Sequence, residues 1–236
     1  MHWSGWAACA LVAYLLGSIP FGVLLGQWRG VDVREHGSRN IGATNVGRVL
    51  GRRWGYLCFL LDAAKGAVPV AAAGELGGTL GRSADELGSS ALLAWLAVPA
   101  AALAGHMASP FLGFKGGKGV ATGFGALVGF WPLLAFPALA AIGVWIVVLA
   151  VGRIVSLASI VAALSLPIGV LVAGGVSSES WPLVAAASVL ALLVVIRHRS
   201  NLSRLLRGQE PRIGAATRRA ATPPDAFGHN DDDGRT

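Results

Sequence analysis

The sequence predicts an all-α polytopic membrane protein of seven transmembrane helices, with its N-terminus outside and its C-terminus cytoplasmic. Three observations lead there. Of 236 residues, 54% are apolar and only 13% are charged, against roughly 25% charged in an ordinary soluble domain. Uncharged stretches of 28 residues (Met1–Trp28), 28 (Leu87–Phe114), 34 (Gly119–Gly152), 25 (Ile154–Ser178) and 17 (Ser180–Ile196) follow one another, and about 20 apolar residues suffice to span a bilayer. The connections between these stretches alternate between basic and non-basic.

In lipid a backbone must satisfy its own polar groups, so each apolar run is read as helix. The first span covers 5–27. It lacks Lys and Arg and exceeds the roughly 7–15-residue core of a signal peptide, so it is read as a retained helix. Gly17-Ser18 and Pro20 suggest close packing and a kink within it. The second span, 54–74, carries Asp62 and Lys65 at i, i+3, read either as a structural ion pair or as support for the polar loops. The third covers 88–105. The stretch 119–152 is too long for one span and is divided at Trp131-Pro132, because proline disfavours helix at the residue before it. That gives 118–130, a short segment with Gly119, Gly123, Gly125 and Gly129, and then 132–151. Spans at 154–174 and 181–197 complete the set.

Charge sets the orientation. The connection 28–53 holds Arg29, Arg34, Arg39, Arg48, Arg52 and Arg53, whereas 75–87 sets Arg82 against Glu75, Asp85 and Glu86. The third connection carries Lys115 and Lys118, the fourth no charge, the fifth Arg153 and the sixth only Glu179. Arginines dominate the sequence after the last span. The positive-inside rule then places the C-terminus in the cytoplasm. Residues 1–208 form the integral membrane domain, and 209–236 are read as a disordered polar tail, with Pro223-Pro224 and the acidic run Asp231-Asp232-Asp233.

Several function classes are excluded at this point. Net charge is +7, but the basic residues sit in short loops and form no nucleic-acid groove or arm. Cys9 and Cys58 lie inside apolar segments and are read as free thiols. His2, His36, His106, His198 and His229 have no partners at metal-ligand spacing, so no metal is expected. His106 is read as a packing or interfacial histidine.

Polar chemistry collects in three segments on the cytoplasmic side. The first runs Gly37-Ser38-Arg39-Asn40-Ile41-Gly42-Ala43-Thr44-Asn45-Val46-Gly47-Arg48. Small residues admit an anion to the backbone, Ser, Thr and Asn add neutral hydrogen bonds, and Arg48 adds a forked donor. A hydrophilic surface turn is the plainer reading. The second, Lys115-Gly116-Gly117-Lys118-Gly119-Val120-Ala121-Thr122, opens a helix with glycines and two lysines. It is either a phosphate cradle or a basic turn with snorkelling lysines, and it does not match a Walker A loop. The third begins His198-Arg199-Ser200-Asn201 and ends Gly208-Gln209-Glu210. It reads as a polybasic end on anionic lipid or as a site in which His198 and Asn201 share a helix face.

Taken in order, Gly-Ser-x-Asn-x-Gly-Ala-Thr-Asn, Lys-Gly-Gly-Lys-Gly-Val-Ala-Thr and His-Arg-x-Asn-x-x-Arg-Leu-x-x-Gly-x-Glu resemble the three motifs of the membrane-integral, acyl-phosphate-dependent glycerol-3-phosphate acyltransferases, the PlsY family. The resemblance covers nearly the whole chain to about residue 212. Arg39 departs from the family pattern, which has Gly there. If the position needs positive φ, Arg strains the loop.

The resemblance implies a bacterial inner-membrane enzyme of seven helices whose site opens to the cytoplasm. It implies transfer of a fatty acyl group from acyl phosphate to the sn-1 hydroxyl of glycerol 3-phosphate, giving 1-acylglycerol 3-phosphate (lysophosphatidic acid) and phosphate, the first step of phospholipid synthesis. Carried over by motif position, Ser38, Arg48, Lys118 and Asn201 hold glycerol 3-phosphate. His198, Asn40, Thr44, Asn45 and the Gly116-Gly117 backbone surround the acyl phosphate, and Lys115 joins the phosphate-binding set. No cofactor is expected, and the partners are the two substrates and membrane lipid around a monomer.

The chemistry of the residues agrees. Two phosphorylated substrates call for anion donors more than for metal ligands. No His-x4-Asp dyad of the soluble acyltransferases is present, and no Ser or Cys nucleophile stands beside an evident base. Direct attack without an acyl-enzyme follows, the proton passing to a substrate phosphate or to His198. The rival reading is a secondary transporter for an organic phosphate, which glycine-interrupted short helices would suit. Candidate ligands near one membrane face and the lack of an internal repeat argue against it.

Overall fold

The structure is a computed structural model, and it describes residues 1–174 and 179–214. The tail beyond 214 lies outside the described residues. The described residues form the helices α1 (Trp3–Gly17), α2 (Phe21–Trp28), α3 (Ala43–Val49), α4 (Arg52–Gly77), α5 (Ala84–Met107), α6 (Val120–Gly129), α7 (Ala135–Gly152), α8 (Val155–Gly174), α9 (Trp181–Arg197) and α10 (Arg199–Leu206). It is an all-α, multi-pass membrane protein. Among the described residues, α1 with α2, α4, α5, α7 and α8 give five segments long and apolar enough to cross a bilayer. The pair α9 and α10, bent by 61° at His198, gives a sixth.

Each apolar run of the sequence falls on a helix, and the differences are instructive. The first run breaks between Gly17 and Phe21, where Gly17-Ser18 and Pro20 anticipated a kink. The segment expected at 118–130 starts at Val120 and ends at Gly129. Its ten residues rise only about 15 Å. Two short helices, α3 and α10, arise inside polar motifs where the sequence offered no apolar stripe long enough to announce them.

The α4 and α6 helices pack backbone to backbone. A Cβ on Gly66 would overlap the Thr122 carbonyl, and Cβ atoms on Gly125 and Gly129 would overlap the backbones of Ala63 and Ala67. Lipid supplies no hydrophobic drive between helices, so close contact of small residues does that work. Away from the polar loops, Trp95 stacks on Phe130 with ring centroids 3.7 Å apart, and its indole N–H donates to the Val70 carbonyl at 3.0 Å.

The connections segregate to two ends of the bundle. At one end Glu179 accepts hydrogen bonds from the Ser89 amide and hydroxyl, each at 2.8 Å. There too the Gly81 amide donates to the Trp131 carbonyl at 3.1 Å. At the other end the Ile213 amide donates to the Arg153 carbonyl at 2.7 Å. The three polar motifs gather at that second end.

Candidate active site

The first motif is held in shape by its own side chains. The buried Asn45 donates from Nδ2 to the carbonyls of Val33 (2.9 Å) and His36 (3.1 Å) and accepts the Ser38 amide on Oδ1 at 2.7 Å. Gly37 has φ +61°, and a Cβ there would strike Asn45 Oδ1. Asn40 Oδ1 accepts the Gly42 amide at 2.9 Å, and Gly42 opens α3. Gly47 lies on Gly55, so α3 rests directly on α4. Arg39 sits at φ +57°, the strained conformation its departure from glycine foretold. Ser38, Thr44 and Arg48 remain exposed, with their polar ends free of partners among the described residues.

The second motif folds back onto the end of α5. The Gly116 and Gly117 amides donate to the Met107 and His106 carbonyls, each at 3.1 Å. These are carbonyls that a helix C-terminus leaves without intrahelical partners. The expected phosphate donors at Gly116 and Gly117 are therefore engaged in the loop itself. The N–H groups of Val120, Ala121 and Thr122, in the first turn of α6, have no intrahelical partner. Arg197 locks the loop from the opposite side. Its guanidinium donates to the carbonyls of Gly117 (2.6 and 3.2 Å) and Gly116 (3.0 Å). Lys115 is exposed, with no side-chain partner among the described residues.

The third motif closes the cluster. Lys118 Nζ donates to Asn201 Oδ1 at 2.5 Å, and Asn201 Nδ2 donates to Glu210 Oε1 at 2.5 Å. Glu210 also accepts from the Ser156 hydroxyl (2.8 Å) and from Arg204 Nε (2.7 Å). Burial alone would raise the Glu210 carboxyl, but these three hydrogen bonds outweigh it and hold the group below its usual range. His198 falls at the bend between α9 and α10 and caps α10, the Leu202 amide donating to its carbonyl at 2.8 Å, so His198 and Asn201 share the first turn of α10. Its Nδ1 bonds the Val194 carbonyl at 2.8 Å. A carbonyl only accepts, so Nδ1 carries the proton and Nε2 offers a lone pair.

Lys118 is the point at which the motifs meet. Burial lowers its ammonium to about 8, Glu210 opposes that shift, and Arg204, Arg48 and Arg197 add to it by repulsion. Three cations from the three motifs, with Arg197 just before the third, thus lie near one carboxylate, Glu210, among the described residues, a field made for anions. An apolar crevice starts beside Lys118 at Gly119 and runs past Gly123 and Leu127, with Ala141, Leu166 and Leu190 on the facing helices. Among the described residues, no group of His, Cys, Asp and Glu side chains is arranged to hold a metal ion.

The structure brings the sequence candidates Lys118, Asn201 and Arg48 to one end of the bundle, and sequence reasoning gave no role to Arg197 or Glu210. Arg197 read as a topology charge, and nothing local reveals that it reaches carbonyls 80 residues away. Glu210 had a signal: it is the only acid between Arg197 and Arg212, a stretch with five arginines.

The comparisons with known proteins agree with this geometry. The profile of the family described as glycerol-3-phosphate acyltransferase matches residues 7–208. A glycerol-3-phosphate acyltransferase of Synechococcus sp. is 45% identical over 207 residues, covering 86% of this chain and 92% of the relative. One from Geobacter sulfurreducens is 45% identical over 206 residues, covering 86% and 95%. Among solved structures, PlsY (YgiH), an integral membrane glycerol 3-phosphate acyltransferase, is similar in its glycerol 3-phosphate form with a TM-score of 0.76. That pair is 38% identical over 89% of this chain and 96% of the other. Its lysophosphatidic acid form aligns with a TM-score of 0.74 and 37% identity, over 89% and 95%. The chain belongs to the glycerol-3-phosphate acyltransferase family, in its membrane-integral PlsY branch.

Proposed function

We propose that the cationic end of the bundle is the active site for acyl transfer from acyl phosphate to glycerol 3-phosphate, giving lysophosphatidic acid and phosphate. The observation that carries this reading is the Lys118–Asn201–Glu210 chain, which joins the second and third motifs with Arg48 of the first nearby. Ser38, Arg48, Lys118 and Asn201 hold glycerol 3-phosphate. Asn40, Thr44, Asn45, Lys115, the Gly116-Gly117 turn and His198 shape the acyl-phosphate subsite, Asn45 and the two glycines by fixing the loops. The acyl chain lies in the crevice that begins at Gly119.

The sn-1 hydroxyl oxygen attacks the acyl carbonyl carbon directly. The bond from that carbon to the phosphate oxygen breaks, and inorganic phosphate leaves with the electron pair. The hydroxyl proton passes to a substrate phosphate, His198 Nε2 being the protein's own acceptor. Lys118 and Arg48 offset the repulsion between two phosphorylated substrates and stabilise the oxyanion as it forms. Asn201, held by Glu210, fixes the Lys118 ammonium at no cost in reorganisation during the reaction.

The same reading covers topology. Seven crossings, an outside N-terminus and a cytoplasm-facing site in the bacterial inner membrane follow from the alternating charge of the connections. The Gly81–Trp131 hydrogen bond supports α6 as a crossing, since Trp131 meets the connection between α4 and α5 at the end opposite the motifs. Residues 1–208 are the catalytic membrane domain of a monomer, and 209–236 are a polar tail anchored by Glu210.

The test uses detergent-purified protein with palmitoyl phosphate and glycerol 3-phosphate, following phosphate and lysophosphatidic acid together. Equal amounts of both products, dependent on both substrates, are expected. Phosphate alone would make the protein a hydrolase, and an acyl-protein adduct would sink direct attack.

A further inference from the structure

Three ionisable side chains inside the bundle take no part in the reaction as derived: Asp62 and Lys65 of α4 and His106 of α5. Asp62 and Lys65 pair at 2.7 Å with only 3% of each side chain exposed. A pair so deep gains little stability over apolar residues of the same size, and ionisable groups inside a membrane protein mark function by default.

Their surroundings tie the motifs together. Lys65 Nζ also donates to the Ile19 carbonyl at 2.7 Å, inside the break between α1 and α2. From the other side of that break the Ser109 hydroxyl donates to the Ser18 carbonyl at 2.7 Å, and the Tyr14 hydroxyl donates to Ala108 at 3.0 Å. Residues 108 and 109 lead from α5 into the second motif. His106 Nδ1 lies 3.9 Å from Asp62 Oδ1 and has no hydrogen-bond partner among the described residues. Its ring presses on Gly117, where a Cβ would overlap Nε2. On the other flank of Asp62, Cys58 Sγ stands 3.7 Å from Oδ2 and 4.0 Å from the carbonyl of Ile41, in the first motif. Asp62 therefore stands between the first motif and the second.

We propose that Asp62, Lys65 and His106 are positioning residues for acyl transfer: a buried polar bridge that sets the second-motif loop, and Lys118 with it, against the first motif. The inference rests on the reading of these motifs as the active site. Displacing a catalytic group by about 1 Å can cost 100-fold in rate, so a bridge of this kind acts at a distance from the substrates.

The test measures kcat, KM and melting temperature for wild type and two sets of variants, with palmitoyl phosphate and glycerol 3-phosphate in detergent. The double variant Asp62→Asn/Lys65→Met removes both charges at once and leaves no unpaired ion behind. It leaves the Ile19 carbonyl without its Lys65 donor, so a small fall in melting temperature is expected, while kcat/KM for glycerol 3-phosphate falls about 100-fold. His106→Asn keeps a donor near Nδ1 and is expected to stay within a few-fold of wild type, whereas His106→Leu shares the loss. Wild-type kinetics in the double variant, or equal losses in the two His106 variants, would overturn the bridge. Inactive wild-type protein would instead overturn the active-site reading on which it rests.

Discussion

Lys118 Nζ meets Asn201 Oδ1 at 2.5 Å across 83 residues of sequence, and that contact joins the second and third motifs. Lys118 is partly buried and faces three arginines and one glutamate. Lys118→Ala removes the central cation and is expected to lower kcat by about 100-fold or more, with the melting temperature unchanged. Arg48→Ala is expected to do the same from the first motif. Single-turnover rates in detergent check both, and near wild-type turnover in either variant removes that residue from the catalytic set.

The depressed titration of Lys118 makes activity and stability move in opposite directions with pH. The ammonium is present below about 8 and lost above it, so kcat/KM, which reports the free enzyme, falls as pH rises through 8. The unfolded chain keeps the proton up to the ordinary value of 10.5, so between the two it binds more protons than the folded chain. Stability therefore rises with pH across that window. Lys118→Arg stays charged throughout and is expected to lose the activity limb near pH 8. A limb that persists in the Arg variant belongs to another group.

Glu210 anchors Asn201, Arg204 and Ser156 at once. Glu210→Ala strips the acceptor from all three, and hydrogen bonds to charged groups are worth about 1.5–3 kcal/mol. A loss of about 3 kcal/mol in unfolding free energy is expected, together with a fall in kcat as Asn201 swings free. Ser156→Ala removes one of these donors to the carboxylate and is expected to cost about 1.5 kcal/mol with kcat intact. Equal kinetic losses in the two variants would place the effect in packing around α8 rather than in Asn201.

How much of this was legible depends on whether a feature is local. The apolar runs announced every long helix, because lipid forces helix wherever they occur. Pro20 and the Gly17-Ser18 pair announced the break in the first span, and Trp131-Pro132 the shortness of α6. Motif composition singled out Lys118, Arg48 and Asn201, which the fold brings to one end of the bundle. What stayed hidden depends on the chain returning to itself. The Arg197 clamp on the Gly116 and Gly117 carbonyls, the reach of Lys65 to Ile19 and the bend at His198 have no sequence periodicity. Gly116 and Gly117 read as open anion donors, whereas the α5 C-terminus claims their amides.

Arg39 offers a test of backbone strain beside the site. Its φ of +57° costs an L-residue about 1–2 kcal/mol. Arg39→Gly removes that strain but adds freedom to the unfolded chain worth roughly 0.4–1 kcal/mol. It is therefore expected to be neutral or slightly stabilising, with activity within a few-fold. Arg39→Val places a β-branched side chain in the same conformation, which is far less tolerated. It is expected to destabilise by about 1 kcal/mol or more and to lower activity by shifting Ser38 and Asn40. Denaturant unfolding of both variants decides, and tolerance of Val would mean that the loop relaxes in solution.

The crevice beyond Lys118 predicts how acyl-chain preference can be changed. Gly119, Gly123 and Leu127 line one wall of it, and helical rise sets Gly123 about 6 Å and Leu127 about 12 Å below Gly119. A Cβ on Gly123 would meet Leu190 and Leu103 at ordinary contact distances of 3.5 and 3.7 Å, so the helix accepts a side chain there. Gly123→Leu then fills the crevice below the reacting carbonyl. Each buried methylene is worth about 0.8 kcal/mol. Displacing two of them costs about 1.6 kcal/mol, more than ten-fold in kcat/KM. The loss is expected with palmitoyl phosphate and not with butyryl phosphate, whose chain ends before the obstruction. Equal losses on both donors would place the acyl chain outside this crevice, along the lipid-facing side of the bundle.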